Sequence, residues 1–153
     1  SRQLLKSEKP VNIRLQMEED IFLRADRTHL SNMISNLSDN AEKYSDEKAD
    51  ICIKCQILEK ACQISVIDKG IGIPLDKQPF LFNKFYRVPT GNRHDVKGYG
   101  LGLYYVKMMV ELHGGSIRVE SSPGKGSTFT LGTPTKGWKI YTYSWWKTSG
   151  RSR

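Results

Sequence analysis

Two runs, DICIKCQIL (residues 50–58) and ACQISVID (61–68), constrain the fold most. Each alternates apolar and polar residues and is rich in β-branched side chains, the pattern of a half-buried strand. Only Glu59 and Lys60 separate them. A two-residue connection allows one solution, an antiparallel hairpin. Ile51, Ile53, Cys55 and Ile57 then share one face of the first strand, and Cys62, Ile64, Val66 and Asp68 one face of the second. If that face is inward, Asp68 is a carboxylate ending a core row, and it needs a hydrogen-bond donor. The alternation also disposes of the Cys52–Cys55 spacing as a zinc or redox motif, because the two thiols point to opposite faces. Cys52, Cys55 and Cys62 read as free thiols of a reducing compartment.

The flanks repeat the pattern. Residues 11–17 and 21–26 alternate as two further strands. From 27 to 44 the period becomes helical, with Leu30, Met33, Ile34, Leu37 and Ala41 on one stripe. Residues 76–86 read as a short helix or turn with aromatics. Residues 88–100 lack periodicity and read as a mobile loop. Residues 101–112 read as a helix ended by His113-Gly114-Gly115, its Val106, Met109 and Val110 facing the core. SIRVES and STFTLGT are strands joined by the turn SPGKG. The order ββ-α-ββ-loop-α-ββ, with strands arriving as hairpins, predicts an α+β fold: a two-layer α/β sandwich with a mixed, mostly antiparallel sheet and helices on one face. The glycines at 98, 100 and 102 follow a loop rather than a strand, which removes the dinucleotide-binding reading.

Charge is unevenly spread. The chain carries 24 Lys/Arg against 16 Asp/Glu, a net charge of +8. Residues 134–153 hold five of the basic residues, all three Trp and no acid, leaving the preceding body near +3. Nucleic acid as a partner is disfavoured by that distribution. The tail is either a native basic, aromatic appendage or sequence foreign to the domain. Expected boundaries are therefore 1–9 as a linker from an upstream domain, 10–133 as the folded domain and 134–153 as the tail. No run approaches the roughly 18 apolar residues of a membrane span, and no basic-apolar leader opens the chain.

Four stretches carry possible chemistry, each weak alone. In NLSDNAEKY, Asn36, Asn40, Lys43 and Tyr44 fall near one helix face. An amide oxygen can ligate Mg²⁺ and a lysine can meet phosphate, yet two solvated asparagines would look the same. In IDKGIGIP, Gly70 and Gly72 let a flat ligand approach the backbone beside Asp68, or Asp68 simply opens a turn. FNKFYRVP combines aromatics with Lys84 and Arg87. KGYGLGL sets Gly98, Gly100 and Gly102 before a helix N-terminus, where a phosphate is favoured.

Taken in order, these stretches resemble the boxes of the catalytic ATP-binding domain of bacterial sensor histidine kinases, within the ATPase superfamily that includes gyrase and heat-shock chaperones. NLSDNAEKYS resembles the N box, DKGIGI, GYGLGL and GKGSTF the glycine boxes, and FNKFYR the Phe box. The resemblance spans about residues 10–133 and implies the Bergerat ATP-binding fold. It implies ATP and Mg²⁺ as cofactors, with Asn40 on Mg²⁺, Asn36 supporting it, and Lys43 and Arg87 on the phosphates. Tyr44 would pack near the nucleotide. Asp68 would accept from the adenine amine, backed by Thr128, with Gly70 and Gly72 shaping the base site. Ile73 and Phe85 would wall the site, and Gly98, Gly100, Leu101, Gly102 and Leu103 would form hinge and phosphate cradle. Tyr99 stands where a small residue is frequent in the family, and would alter lid packing more than ATP binding.

Hydrolysing members of the superfamily carry a Glu four residues before the Mg²⁺ asparagine. Here that residue is Asn36, which cannot act as a general base. The resemblance therefore implies transfer of the γ-phosphoryl group to another nucleophile. His29, His94 and His113 do not sit in the family's acceptor motif, and His113 reads as a structural cap. The acceptor histidine is expected on a separate dimerisation domain of the same kinase. A response regulator would act downstream. The isolated domain is expected to be monomeric and cytoplasmic, within a homodimeric, membrane-bound sensor. The alternatives are a non-catalytic nucleotide-binding module and an ATP-hydrolysing relative.

Overall fold

The computed structural model describes residues 9–17, 20–24, 27–58, 61–88, 100–133 and 139–143. Its elements are β1 (Val11–Gln16), β2 (Asp20–Arg24), α1 (Arg27–Lys43), β3 (Ala49–Leu58), β4 (Ala61–Asp68), a 3-10 turn (Gln78–Phe80), α2 (Gly102–Leu112), β5 (Ser116–Ser121), β6 (Ser127–Thr133) and β7 (Lys139–Tyr143). A five-stranded sheet runs in the order β1-β3-β4-β6-β5. β3 and β4 form the expected hairpin, with Ile53 opposite Val66 and Ile51 opposite Asp68. β5 and β6 form the second.

β1 departs from the hairpin expectation. It pairs parallel to β3, Val11 against Ala49 and Ile13 against Ile51. A parallel pair needs a crossover, and β2 with α1 supplies it, so the sheet is mixed. β2 instead pairs with β7, Asp20 opposite Tyr143 and Arg24 opposite Lys139. The tail that composition set apart thus contributes a strand. Its KIYTY segment is rich in strand-forming residues, a local signal that the unusual charge and Trp content of the tail overshadowed.

Both helices pack on the sheet and on each other. Met33, Leu37 and Ala41 of α1, with Val106, Met109 and Val110 of α2, bury against Ile51, Ile64, Val66, Phe129 and Leu131. These are the inward rows that the two periodicities select, so the sandwich follows from patterning. α2 ends as anticipated: His113 is its C-cap, its Nδ1 lies 2.7 Å from the Met109 carbonyl oxygen, and Gly114 follows with φ 77°. No helix among the described residues is long and apolar enough to cross a membrane.

The cysteines follow the strand alternation. Cys52 and Cys62 are buried and Cys55 is half-buried, all three as free thiols. Cys55 packs against the core, whereas the Cys52 thiol lies 3.8 Å from the Gln16 amide oxygen. Burial, with a smaller effect of Cys55, pushes the Cys62 thiol up to about 11.

Candidate functional site

A cleft of about 170 Å³, partly open to solvent, lies between the α1 face and the start of α2. Asn36, Asp39, Asn40, Lys43 and Tyr44 form one wall. Tyr86, Arg87, Val88, Gly100, Leu101, Gly102 and Leu103 form the other, and Ile73 and Leu81 lie between. The i, i+4, i+7, i+8 spacing of the sequence thus becomes one polar surface, because 3.6 residues per turn bring these positions together.

Asn36 is held in a defined rotamer. Its Nδ2 donates to the Asn32 carbonyl oxygen at 2.7 Å. Its Oδ1 faces α2, where a Cβ built on Gly102 would lie 3.0 Å away. The bare backbone at Gly102 therefore lets the first turn of α2 approach the α1 wall. Burial raises the Tyr44 phenol above its usual range, while the Arg87 charge across the cleft works in the opposite direction.

Asp68 is not among the residues that line this cleft. It is 6% exposed and stands on the same face as Val66, at the end of the inward row. Its Oδ1 accepts from the Gly70 amide at 2.9 Å and the Ser127 amide at 3.2 Å. Oδ2 has no hydrogen-bond partner among the described residues. Burial raises its pKa, and the two amides offset part of that rise. The close approach requires glycine twice. A Cβ on Gly70 would lie 2.4 Å from the Tyr44 carbonyl oxygen, and one on Gly126 (φ 80°) would lie 2.1 Å from the Asp68 carbonyl oxygen.

Two expected roles meet a different geometry. Thr128 does not back Asp68: it sits opposite Ile67, and Ser127 sits opposite Asp68. Adjacent strand residues point to opposite faces, so Thr128 is turned away from the carboxylate. Ser127 supplies the amide, and its hydroxyl bonds the Ser121 hydroxyl at 2.7 Å. Ser121 in turn accepts from the Ile73 amide at 2.8 Å. Phe85 does not wall the cleft either. It is 64% exposed with φ 68°, and its amide is spent on the Gly100 carbonyl oxygen at 2.9 Å. Leu81 and Tyr86 take the position given to it, and Phe82 packs edge-on against Phe129 with ring centroids 6.3 Å apart.

Asp39, Leu81, Tyr86 and Val88 are lining residues that sequence reasoning did not select. Asp39 is one turn before Lys43 on the same helix, so the α1 periodicity was a usable signal for it. Gly72 lies outside the lining, and its loop is pinned to the β5–β6 turn by the Gly124 amide donating to the Ile71 carbonyl oxygen at 2.8 Å. Gly98, Tyr99 and His94, and most of the expected mobile loop, lie outside the described residues. No group of three or more His, Cys, Asp or Glu suited to a metal occurs among the described residues. The amide and carboxylate oxygen donors on the α1 wall of the cleft are the side chains of Asn36, Asp39 and Asn40.

Comparisons with known proteins bear on the family and the fold. The family described as "Histidine kinase-, DNA gyrase B-, and HSP90-like ATPase" matches residues 25–137. Over 112 residues the chain is 45% identical to Sensor protein RprX of Bacteroides fragilis, covering 72% of this chain and 22% of that protein. It is 36% identical over 126 residues to Sensor histidine kinase WalK of Bacillus subtilis, covering 81% and 21%. The chain therefore spans about a fifth of the length of these two relatives. Among solved structures, the mycobacterial sensor histidine kinase MprB aligns with a TM-score of 0.67 at 25% identity, over 87% of this chain and 86% of that one.

Proposed function

Because the chain belongs to the family of histidine kinase-, DNA gyrase B- and HSP90-like ATPases, we propose that it is the ATP-binding catalytic domain of a sensor histidine kinase. It would transfer the γ-phosphoryl group of ATP to a histidine on a separate dimerisation domain. The observation that carries the nucleotide reading is the buried Asp68 carboxylate with Oδ2 unpartnered among the described residues. A carboxylate in that setting calls for a donor, and the exocyclic amine of adenine supplies one in the plane of a flat ring. The polar α1 face then lies where a triphosphate would extend.

Lys43 and Arg87 line opposite walls of the cleft, and would neutralise phosphate charge from two sides. Asn40 would offer its amide oxygen to Mg²⁺, which keeps few protein ligands and takes the rest from phosphates and water. Mg²⁺ held there would supply charge neutralisation, and phosphoryl transfer depends chiefly on such positioning and electrostatics. Asn36 favours transfer over hydrolysis. Its Nδ2 is committed to Asn32, and an amide does not take a proton from water. The partners proposed are the dimerisation domain and, downstream, a response regulator, with the domain on the cytoplasmic side of a membrane-bound sensor.

The test is trans-phosphorylation of a histidine-bearing dimerisation domain with labelled ATP and Mg²⁺. Acid-labile label should appear on the acceptor, and Asn40→Ala should reduce its rate by about 100-fold, a typical loss when a charge-stabilising group is removed. Nucleotide binding without transfer to any acceptor would favour the non-catalytic module. Steady phosphate release without acceptor would favour the hydrolysing relative.

A further inference from the structure

Lys9 precedes β1 and is half-buried. Its Nζ donates to the Glu42 carbonyl oxygen at 2.9 Å, the Ser45 carbonyl oxygen at 2.9 Å and the Ser45 hydroxyl at 3.2 Å. An ammonium has three donors, so this arrangement uses all of them. The acceptors lie at the C-terminal end of α1, where carbonyls lack intrahelical partners and the helix dipole is negative. Cations that cap a helix end usually come from its own last turn. This one comes from 33 and 36 residues away, on the segment through which the chain enters the sheet. The Pro10 carbonyl oxygen accepts from the Ala49 amide at 2.9 Å, so the same segment is tied to the start of β3.

The knot adjoins the cleft without lining it. Lys43 and Tyr44, both lining residues, lie between the two backbone acceptors. Ser45 is 3% exposed, and its hydroxyl donates to the Glu42 carbonyl oxygen at 2.6 Å. The Tyr44 carbonyl oxygen accepts from the Ile71 amide at 3.0 Å. It also leaves no room for a Cβ at Gly70, whose amide reaches Asp68. A displacement of the α1 terminus therefore moves both Lys43 and the loop that orients Asp68.

We propose that Lys9 is a positioning residue for the nucleotide site, fixing the last turn of α1 and, through Tyr44, the Gly70–Ile71 loop. The proposal rests on reading the cleft as that site. It makes the segment entering β1 part of the site's construction although no atom of it reaches a nucleotide.

The test uses the full chain and a non-hydrolysable ATP analogue with Mg²⁺, by calorimetry at low temperature where every variant is folded. Lys9→Met, which keeps the aliphatic stem and removes the charge, should weaken binding by about tenfold, as expected of a site whose supporting residues shift by a fraction of an ångström. Lys9→Arg should restore it to within about twofold, because the guanidinium retains charge and donors. Ser65→Ala, which breaks the buried Ser65–Thr130 hydroxyl pair (3.0 Å) elsewhere in the sheet, should lower Tm and leave affinity unchanged. Unchanged affinity in Lys9→Met overturns the proposal. An equal loss in Ser65→Ala also overturns it, since general stability would then account for the effect. If the parent chain itself binds no analogue, the nucleotide reading fails, and the amide resonances of Gly70 and Ile71 still decide the latch. Shifts in Lys9→Met that Lys9→Arg reverses support it, and unshifted resonances overturn it.

Discussion

The two walls of the cleft are built differently. On one side Asn36, Asn40, Lys43 and Tyr44 ride a regular helix, whose end is fastened by Lys9, by Ser45 and by the Ile71 amide. Asp68, outside the lining, is clamped between two amides. On the other side, the described residues before Gly102 (86–88, 100 and 101) lie outside any helix or strand. That wall turns on two left-handed residues in contact, Phe85 (φ 68°) and Gly100 (φ 73°). A non-glycine aromatic in that region costs about 1–3 kcal/mol, so surrounding contacts must hold it there. The first wall is preorganised by hydrogen bonds. The second, among the described residues, combines the backbone approach of Phe85 to Gly100 with packing of Tyr86, Val88 and Leu103 against the core.

The hydrogen-bonded side of the comparison should break most completely at Asp68. Asp68→Asn substitutes a donor for an acceptor and removes a charge, so adenine would face an amide NH₂ or a mismatched oxygen. Affinity for ATP should fall by about a thousandfold, between the loss of one charged hydrogen bond and the discrimination of a dedicated polar site. Calorimetry checks this, and unchanged affinity would detach Asp68 from the site. The strained wall should break at Gly100. A Cβ there would lie 2.5 Å from the Phe85 carbonyl carbon, whereas one on Gly124, with a similar φ of 80°, meets nothing within 4 Å. Both Ala variants pay the left-handed penalty of about 1–2 kcal/mol. Gly100→Ala should lose about 2 kcal/mol more by urea denaturation, the cost of an overpacked contact. Equal losses would show that the Phe85–Gly100 approach is loose.

Acidity separates the walls again. Burial raises the Asp68 pKa, so its folded value exceeds its unfolded one. Protonation then favours the fold, and this group's stabilising contribution is present at low pH and lost as pH rises through the folded pKa. Nucleotide binding runs the other way, because the ionised carboxylate is the acceptor. Affinity should fall by up to about tenfold per pH unit below the raised pKa, at a pH above that of an ordinary aspartate. Asp68→Asn lacks this step but retains titration of the nucleotide's own phosphates, so the difference between the two profiles isolates Asp68.

The contrast also explains what the sequence disclosed. Period-2 and period-3.6 patterns are long and redundant, so β3, β4, α1 and the α1 wall could be read from them. Leu30, Met33, Leu37 and Ala41 define a face, and the opposite edge carries the polar set. The second wall has no period. Tyr86 enters it and Phe85 leaves it, because of one positive φ and one amide bond to Gly100, neither written in residue spacing. β1 misled for a related reason: alternation identifies a strand and its faces, while its partner depends on tertiary contacts. The β7 segment carries strand residues and pairs with β2, a partner that neither charge nor alternation names.

A smaller effect distinguishes register from resemblance. The family likeness assigns the support of Asp68 to Thr128, while the β4–β6 pairing assigns it to Ser127. Ser127→Ala keeps the backbone amide on Asp68 and removes only the bond to the Ser121 hydroxyl. Ser121 still donates to the Gly126 carbonyl oxygen at 2.8 Å, so the cost should be about 1 kcal/mol, one lost hydrogen bond. ATP affinity should weaken by about threefold, a small response of a preorganised site to a loosened support. Thr128→Ala alters a half-buried residue on the opposite face and should stay within about 0.5 kcal/mol, with affinity unchanged. Urea denaturation and calorimetry on the pair decide between the two. The reverse ranking would mean that β6 slips by one residue in solution, turning Thr128 toward Asp68 and moving Phe129 out of the core.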